Sequence, residues 1–287
     1  MACDLYPYTP SMAMAAIAVV LFSGLTAVHS FRMITTRTWD SIFFVLGGLC
    51  ELGGFASRLV SSEDVCNVAA YRAQSVLLLL GPSLFMFSVN LTQTEFARAL
   101  DAGRFCWLPF PAQRWGYLGV NSALLVAQAM GGILTVTATE VSTIAAATKL
   151  TVAIYVIQMV FWLFTLAENI AMTFRLGRHP TEASKTVTFN WKLYKNLFGL
   201  AVSIIATGRN LMRMTMAGNV AFLVDNEWAL YAFDGFQMVV VLGAWTIFYL
   251  PEKCTFKASP NGRQSYVRLE RTRQQRQERT FYENDMA

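Results

Sequence analysis

An all-α membrane protein, a bundle of seven transmembrane helices with its amino terminus outside and its carboxyl terminus in the cytoplasm, is the fold this sequence predicts. Three observations predict it. Hydrophobic residues make up 55% of the 287-residue chain and charged residues only 14%, more apolar surface than a soluble domain of this length can hide. The apolar residues fall into seven runs, each near or above the roughly 20 residues that a helix needs to cross about 30 Å of hydrocarbon. Basic residues gather on alternate connections, as they do on the cytoplasmic side of a membrane.

The first run, 12–31, follows a segment with no basic n-region and is long enough to span, so it reads as an uncleaved insertion signal. The second, 40–59, is interrupted by Glu51 and Arg58, which lie two turns apart on one face. The third, 73–96, opens on Gln74 and contains Pro82. It also holds the sequon at Asn90, which lies too deep to meet glycosylating enzymes. The fourth, 116–138, carries Gln128 and the pair Gly131-Gly132; the fifth, 149–174, carries Gln158. The sixth, 194–215, is shortened by Arg209 and Arg213, one helical turn apart. The seventh, 229–250, begins beside Glu227 and contains Tyr231 and Asp234, so two carboxylates and a phenol share one face.

The connections are short except for 97–115, 175–193 and the one between runs six and seven, which leaves no room for a soluble catalytic domain. One side collects Arg32, Arg37, Arg98, Arg104, Arg114, Arg175, Arg178, Lys185, Lys192 and Lys195, together with the basic residues of the tail. The chain therefore divides into a seven-helix domain, 1–251, and a basic cytoplasmic tail, 252–287, too polar to fold alone. The net charge of +5 belongs to that inner face and to anionic lipids of the inner leaflet, not to nucleic acid. Cys3 and Cys66 alone face the oxidising side, so a Cys3–Cys66 disulfide is a candidate, with two free thiols the alternative.

Several function classes are excluded. No G-x-x-x-x-G-K-S/T loop exists for P-loop ATP hydrolysis, and the two histidines, His29 and His179, argue against a histidine-rich metal site; no cofactor is expected. What remains is the polar set Glu51, Arg58, Gln74, Gln128, Gln158, Arg209, Arg213, Glu227, Tyr231 and Asp234, spread over runs two to seven at similar depth in the outer half. Intramembrane charges are costly, about 2.5 to 3.5 kcal/mol each on insertion scales, and mark either ligand pathways or buried ion pairs. One reading is structural: Glu51 with Arg58, and Arg209 or Arg213 with Asp234 or Glu227, neutralise one another. The other is a substrate-binding cavity for a polar headgroup, since six helices supply more hydrogen-bonding groups than two ion pairs need.

Taken together these positions resemble a family. Glu51-Leu-Gly-Gly-Phe-Ala-Ser-Arg58 resembles E-x-x-G-Y-x-x-R of the fungal RTA1-like, or lipid-translocating exporter, proteins; Gln74 with Leu79-Leu-Gly-Pro82 resembles their Q-x-x-x-L-L-L-A-P, and Gln128 with Gly131-Gly132 their Q-x-x-G-G. Arg209-Asn-Leu-Met-Arg213, Gly218, Asn226-Glu227, Tyr231-Ala-Phe-Asp234 and Leu250-Pro251 are similar to R-S-I-F-R, G, H-E, Y-x-F-D and H-P in order and spacing. Departures are Asn121 and Met216, where the pattern has acids, and Leu250, where it has histidine. The resemblance implies seven spans in a plasma membrane, with an internal membrane the alternative, and transport without ATP of a lipid or lipid-like amphiphile, such as a sphingoid base, a sterol-like toxin or a secondary metabolite. Two rival readings stand beside it: a seven-span receptor-like sensor, and a membrane-embedded enzyme such as a terpene cyclase with Glu51 or Asp234 as acid.

Overall fold

The structure is a computed structural model and describes Tyr6 and residues 8–187, 190–217 and 226–249. The chain separates into the units Met1–Cys254 and Thr255–Ala287, of which only the first contains described residues. The predicted tail, 252–287, and Cys3 lie outside them.

Among the described residues every regular element is helical. Helix α1 is Met12–Thr36, α2 is Ile42–Glu63 behind a 3-10 turn at Trp39–Ser41, α3 is Val68–Ala99, α4 is Phe110–Thr137 and α5 is Val141–Arg178. A short α6, Glu182–Thr186, precedes α7, a continuous helix over 191–217 whose middle, Ile204–Arg209, is π-helical. The last, α8, runs over Glu227–Phe248 and is π-helical at Tyr231–Phe236. Helices α1, α3 and α7 start where a side chain satisfies free amides of the first turn. Ser11 Oγ accepts from the Met14 amide, Asn67 Oδ1 from Ala70, and Asn190 Oδ1 from Lys192 and Leu193. The caps at Asn67 and Asn190 start α3 and α7 five and three residues before the apolar runs 73–96 and 194–215.

Six helices, α1 to α5 and α8, are long and apolar enough to cross a membrane, which makes this a multi-pass membrane protein. The predicted sixth span forms α7 but is not among the six, because Lys192, Lys195, Arg209 and Arg213 interrupt its apolar content. Sequential neighbours pack together through short turns, α5 packs on α7, α7 on α8, and α8 back on α1. Helix α3 lies at the centre: 78% of its most apolar stretch is buried, against 28% in α1, α4 and α5, whose outward faces remain apolar for lipid. Glycines permit the closest approaches. A Cβ at Gly132 would collide with Leu79 of α3, and one at Gly54 with Leu78, so the small residues serve packing between helices.

Helices α1 and α8 run parallel. At one end the Ser11 amide donates to Glu227 Oε1 at 2.8 Å; at the other, Thr38 and Tyr249 share a hydroxyl hydrogen bond of 2.6 Å. Both helices stop on left-handed residues there, Arg37 at φ 55° and Tyr249 at φ 36°. Residues 11 and 249 therefore lie at opposite ends of the bundle.

Candidate functional site in the bundle core

At the middle of the bundle Asp234, fully buried in the π segment of α8, takes both arginines of α7. Arg209 Nε donates to Asp234 Oδ1 at 3.0 Å, and Arg213 pairs with Oδ2. Arg209 continues across to α3, where its Nη2 donates to the carbonyls of Leu78, at 2.8 Å, and Leu79, at 3.1 Å. The reason is local. Proline 82 has no amide to give Leu78, four residues earlier, so that carbonyl is left without its helical donor in the centre of a buried helix. Arg209 supplies the missing donor.

Glu51 of α2 completes this group. Its carboxylate is fully buried, and a Cβ at Gly81 would collide with it, so the glycine before Pro82 makes its room. Neither of its oxygens has a hydrogen-bond partner among the described residues, yet Asp234, Arg209 and Arg213 all act on it electrostatically. The two π-helical segments touch here, and each contains a member of the ion cluster. A π turn widens the helix by one residue and is frequent at functional positions.

A second group closes the end of the bundle that carries Ser11. Arg58, two turns above Glu51 on α2, donates to Glu227 Oε1 at 2.7 Å, to the Tyr231 hydroxyl at 3.1 Å and to Tyr8 at 3.2 Å. Its guanidinium sits 5.4 to 5.8 Å from the ring centres of Tyr6, Tyr8 and Tyr231. Tyr6 also donates to Gln74 Oε1 at 3.2 Å and packs edge-on against Tyr71, and burial pushes its phenol above its ordinary pKa. Phe55 of α2 stacks between Phe22 and Tyr231 beside this group.

The remaining predicted residues, Gln128 and Gln158, meet on α3. Ser83 donates to Gln128 Oε1 at 2.5 Å and accepts from Gln158 Nε2 at 2.9 Å, which ties α4 and α5 to the residue that follows Pro82. Two turns deeper, Asn90 donates to Asn121 Oδ1 at 3.4 Å. The ten residues thus form three groups on successive levels. Arg58 pairs with Glu227 and not with Glu51, because α8 brings Glu227 to the top of α2 while Glu51 faces the arginines of α7.

Two centres escaped the sequence reading. Glu168 of α5, buried at the Tyr249 end, accepts from the Trp107 and Leu108 amides at 3.2 and 3.4 Å, from Gln113 at 3.1 Å and from the Tyr117 hydroxyl. It fastens the α3–α4 linker to α5. Beside it burial and the Glu168 charge push the Cys106 thiol up to about 12. Arg114 of α4 bridges Asp40, at 2.9 Å, and Glu95, at 2.6 Å. The signal for Glu168 was present as an acid inside the apolar run 149–174.

Cys66 is disulfide-bonded, whereas Cys50 and Cys106 are free. No group of three or more metal-ligating side chains occurs among the described residues.

The family described as RTA1 like protein matches residues 44–257, which include the central ion cluster and the Arg58–Glu227 pair. Protein RTA1 of Saccharomyces cerevisiae is 26% identical over 266 residues, covering 83% of this chain and 82% of that protein. Protoporphyrin uptake protein 1 of the same yeast is 24% identical over 284 residues, or 85% of this chain and 91% of the relative. Sphingoid long-chain base transporter RSB1 is 25% identical over 126 residues, 43% of this chain and 32% of the transporter. No solved structure matches the chain. The chain belongs to the RTA1-like family.

Proposed function

We propose that this protein moves a lipid or lipid-like amphiphile across or within a membrane without ATP, the polar end of the substrate engaging the polar core while its apolar part stays in lipid. The observation that carries the reading is the buried cluster of Glu51, Arg209, Arg213 and Asp234, set among membrane-crossing helices that depart from regular α geometry at that level. Static packing does not need a proline break and two π turns around four charged groups. Two relatives carry names that state a cargo, protoporphyrin and sphingoid long-chain bases, and both are molecules with large apolar parts and polar ends. A transporter, and not an enzyme, is the role this supports.

In this reading α7 is a seventh span, its arginines neutralised by Asp234. The parallel course of α1 and α8 supports an odd number of crossings. The Tyr249 end bears Arg32, Arg98, Arg104, Arg114, Arg175 and Lys192, which supports a cytoplasmic carboxyl terminus, with residues 252–287 against anionic inner-leaflet lipids and the amino terminus outside. The plasma membrane is the proposed site. Glu51, Arg58, Gln74, Gln128, Gln158, Arg209, Arg213, Glu227, Tyr231 and Asp234 are the proposed substrate path. The test is the profile of retained and secreted lipids in cells with and without the protein. Accumulation of one unaltered amphiphile on deletion supports transport, and a chemically changed product would replace this reading with an enzymatic one.

A further inference from the structure

The central cluster contains an unmade hydrogen bond. Arg209, Arg213 and Asp234 together carry one more positive than negative charge. Asp234 has given its oxygens to Arg209 Nε and Arg213 Nη2. Arg213 Nε is buried with no acceptor among the described residues, and Glu51, within electrostatic reach of that arginine, has two buried oxygens with no donor. A complementary donor and acceptor are thus both orphaned in one cluster. Buried polar atoms are very seldom left so, and leaving both unmade is far more costly than joining them. Two states answer this differently: a proton on Glu51 spares an unpaired carboxylate in a dry site, whereas the ionised carboxylate can accept from Arg213 and brings the cluster to zero net charge.

We infer that Glu51 is a proton-binding site whose occupancy decides which carboxylate holds Arg213. In one state Glu51 carries the proton and Asp234 holds both arginines, as in the structure. In the other the Glu51 O–H bond breaks, the proton passes to water, and the carboxylate accepts from Arg213, leaving Asp234 with Arg209. The four groups then sum to zero charge. The surroundings allow the exchange: Arg209 and Arg213 act on Glu51 from α7 and Asp234 from α8, while α3 presents Gly81. On its own helix Cys50 adjoins it and Arg58 is held by Glu227, and Tyr155 of α5 acts on Arg213 from the other side. The π turns of α7 and α8 supply the slack, since a helix with an extra residue per turn can pass that residue along without breaking its other hydrogen bonds. A proton would in this way be coupled to the relative register of α2, α7 and α8. Its use in driving cargo rests on the transport reading, but its existence does not.

The test uses the purified full-length chain in lipid nanodiscs, without cargo. Infrared difference spectra between acidic and alkaline buffer should show the carbonyl stretch of one buried carboxylic acid per chain, gained and lost with pH. Glu51→Gln should abolish that band. Because Glu51→Gln also has to fold, Glu51→Asp is the companion: it keeps the acid but shifts it by one methylene, and the band should persist at a changed frequency. Absence of any pH-dependent band in the wild type, or a band unchanged in both variants, would overturn the inference. Loss of cargo flux alongside an intact wild-type band would count against transport and leave the proton site standing.

Discussion

Arg209 donates 2.8 Å to the main-chain carbonyl of Leu78, the carbonyl that Pro82 leaves without its own helical donor. One side chain therefore repairs the break in the central helix while its other face holds Asp234 at 3.0 Å. The proline, the arginine and the acid act as a unit that joins α3, α7 and α8. In a bilayer, where no water competes for a freed carbonyl, such a repair is needed.

Unit behaviour has a thermodynamic signature. Arg209→Gln is expected to cost about 3 to 5 kcal/mol, the penalty for removing one partner of a buried pair. Pro82→Ala restores an amide for Leu78, so the cost of Arg209→Gln should shrink by about 1 kcal/mol in that background. A double-mutant cycle of unfolding in mixed detergent micelles measures the coupling. Strict additivity would separate the proline from the arginine.

The arginines are not equivalent. Asp234→Asn strands two cations and is predicted to be the most damaging change, with Arg209→Gln next. Arg213→Gln should be milder, by about 2 kcal/mol or more relative to Asp234→Asn, since Arg209 and Asp234 still neutralise one another. The order of apparent melting temperatures among the three variants checks this, and Arg213→Gln as the least stable would contradict it.

At the opposite end Glu168→Gln removes the charge that two main-chain amides, Gln113 and Tyr117 share. Hydrogen bonds to a charged group contribute about 1.5 to 3 kcal/mol each, so a loss of about 3 kcal/mol is expected. The neighbouring Cys106 should be slow to alkylate at neutral pH, because a thiol pushed up to about 12 holds its proton, and faster as pH rises. In Glu168→Gln the negative neighbour is gone, and labelling at fixed pH should quicken. Unchanged stability and labelling would remove the fastening role.

Much of this was legible in the sequence, and the limits have a physical pattern. Arg209, Arg213, Glu227, Tyr231 and Asp234 stood out because a charge in an apolar run is expensive wherever it points. Their partners did not, because partnership depends on helix rotation. Glu51 and Arg58 share one face of α2 and so read as a pair, while the π turns at Ile204–Arg209 and Tyr231–Phe236 shift the phase of α7 and α8, which supply their actual neighbours. Ser83 was passed over because a lone serine in a helix usually bonds its own backbone, whereas here the break at Pro82 turns it to Gln128 and Gln158. The caps Asn67 and Asn190 set the starts of α3 and α7 ahead of their apolar runs.

Cys66 is disulfide-bonded, and Cys3 is the proposed partner, since the predicted topology puts these two cysteines on the oxidising side. Mass spectrometry of non-reduced peptides should find Cys3 linked to Cys66. Recovery of Cys3 as a free thiol from protein prepared without reductant would contradict the pairing.

The most direct test of the transport reading is the release of a labelled sphingoid long-chain base from preloaded cells, measured per molecule of folded surface protein for wild type, Arg58→Gln, Glu51→Gln and Gln128→Ala. The polar levels predict faster release with the wild type than without the protein, and at least a tenfold loss in the variants that remain folded. Release at the protein-free rate with abundant folded wild type would contradict transport of this cargo class. Wild-type release in all three variants would leave the polar levels as packing alone.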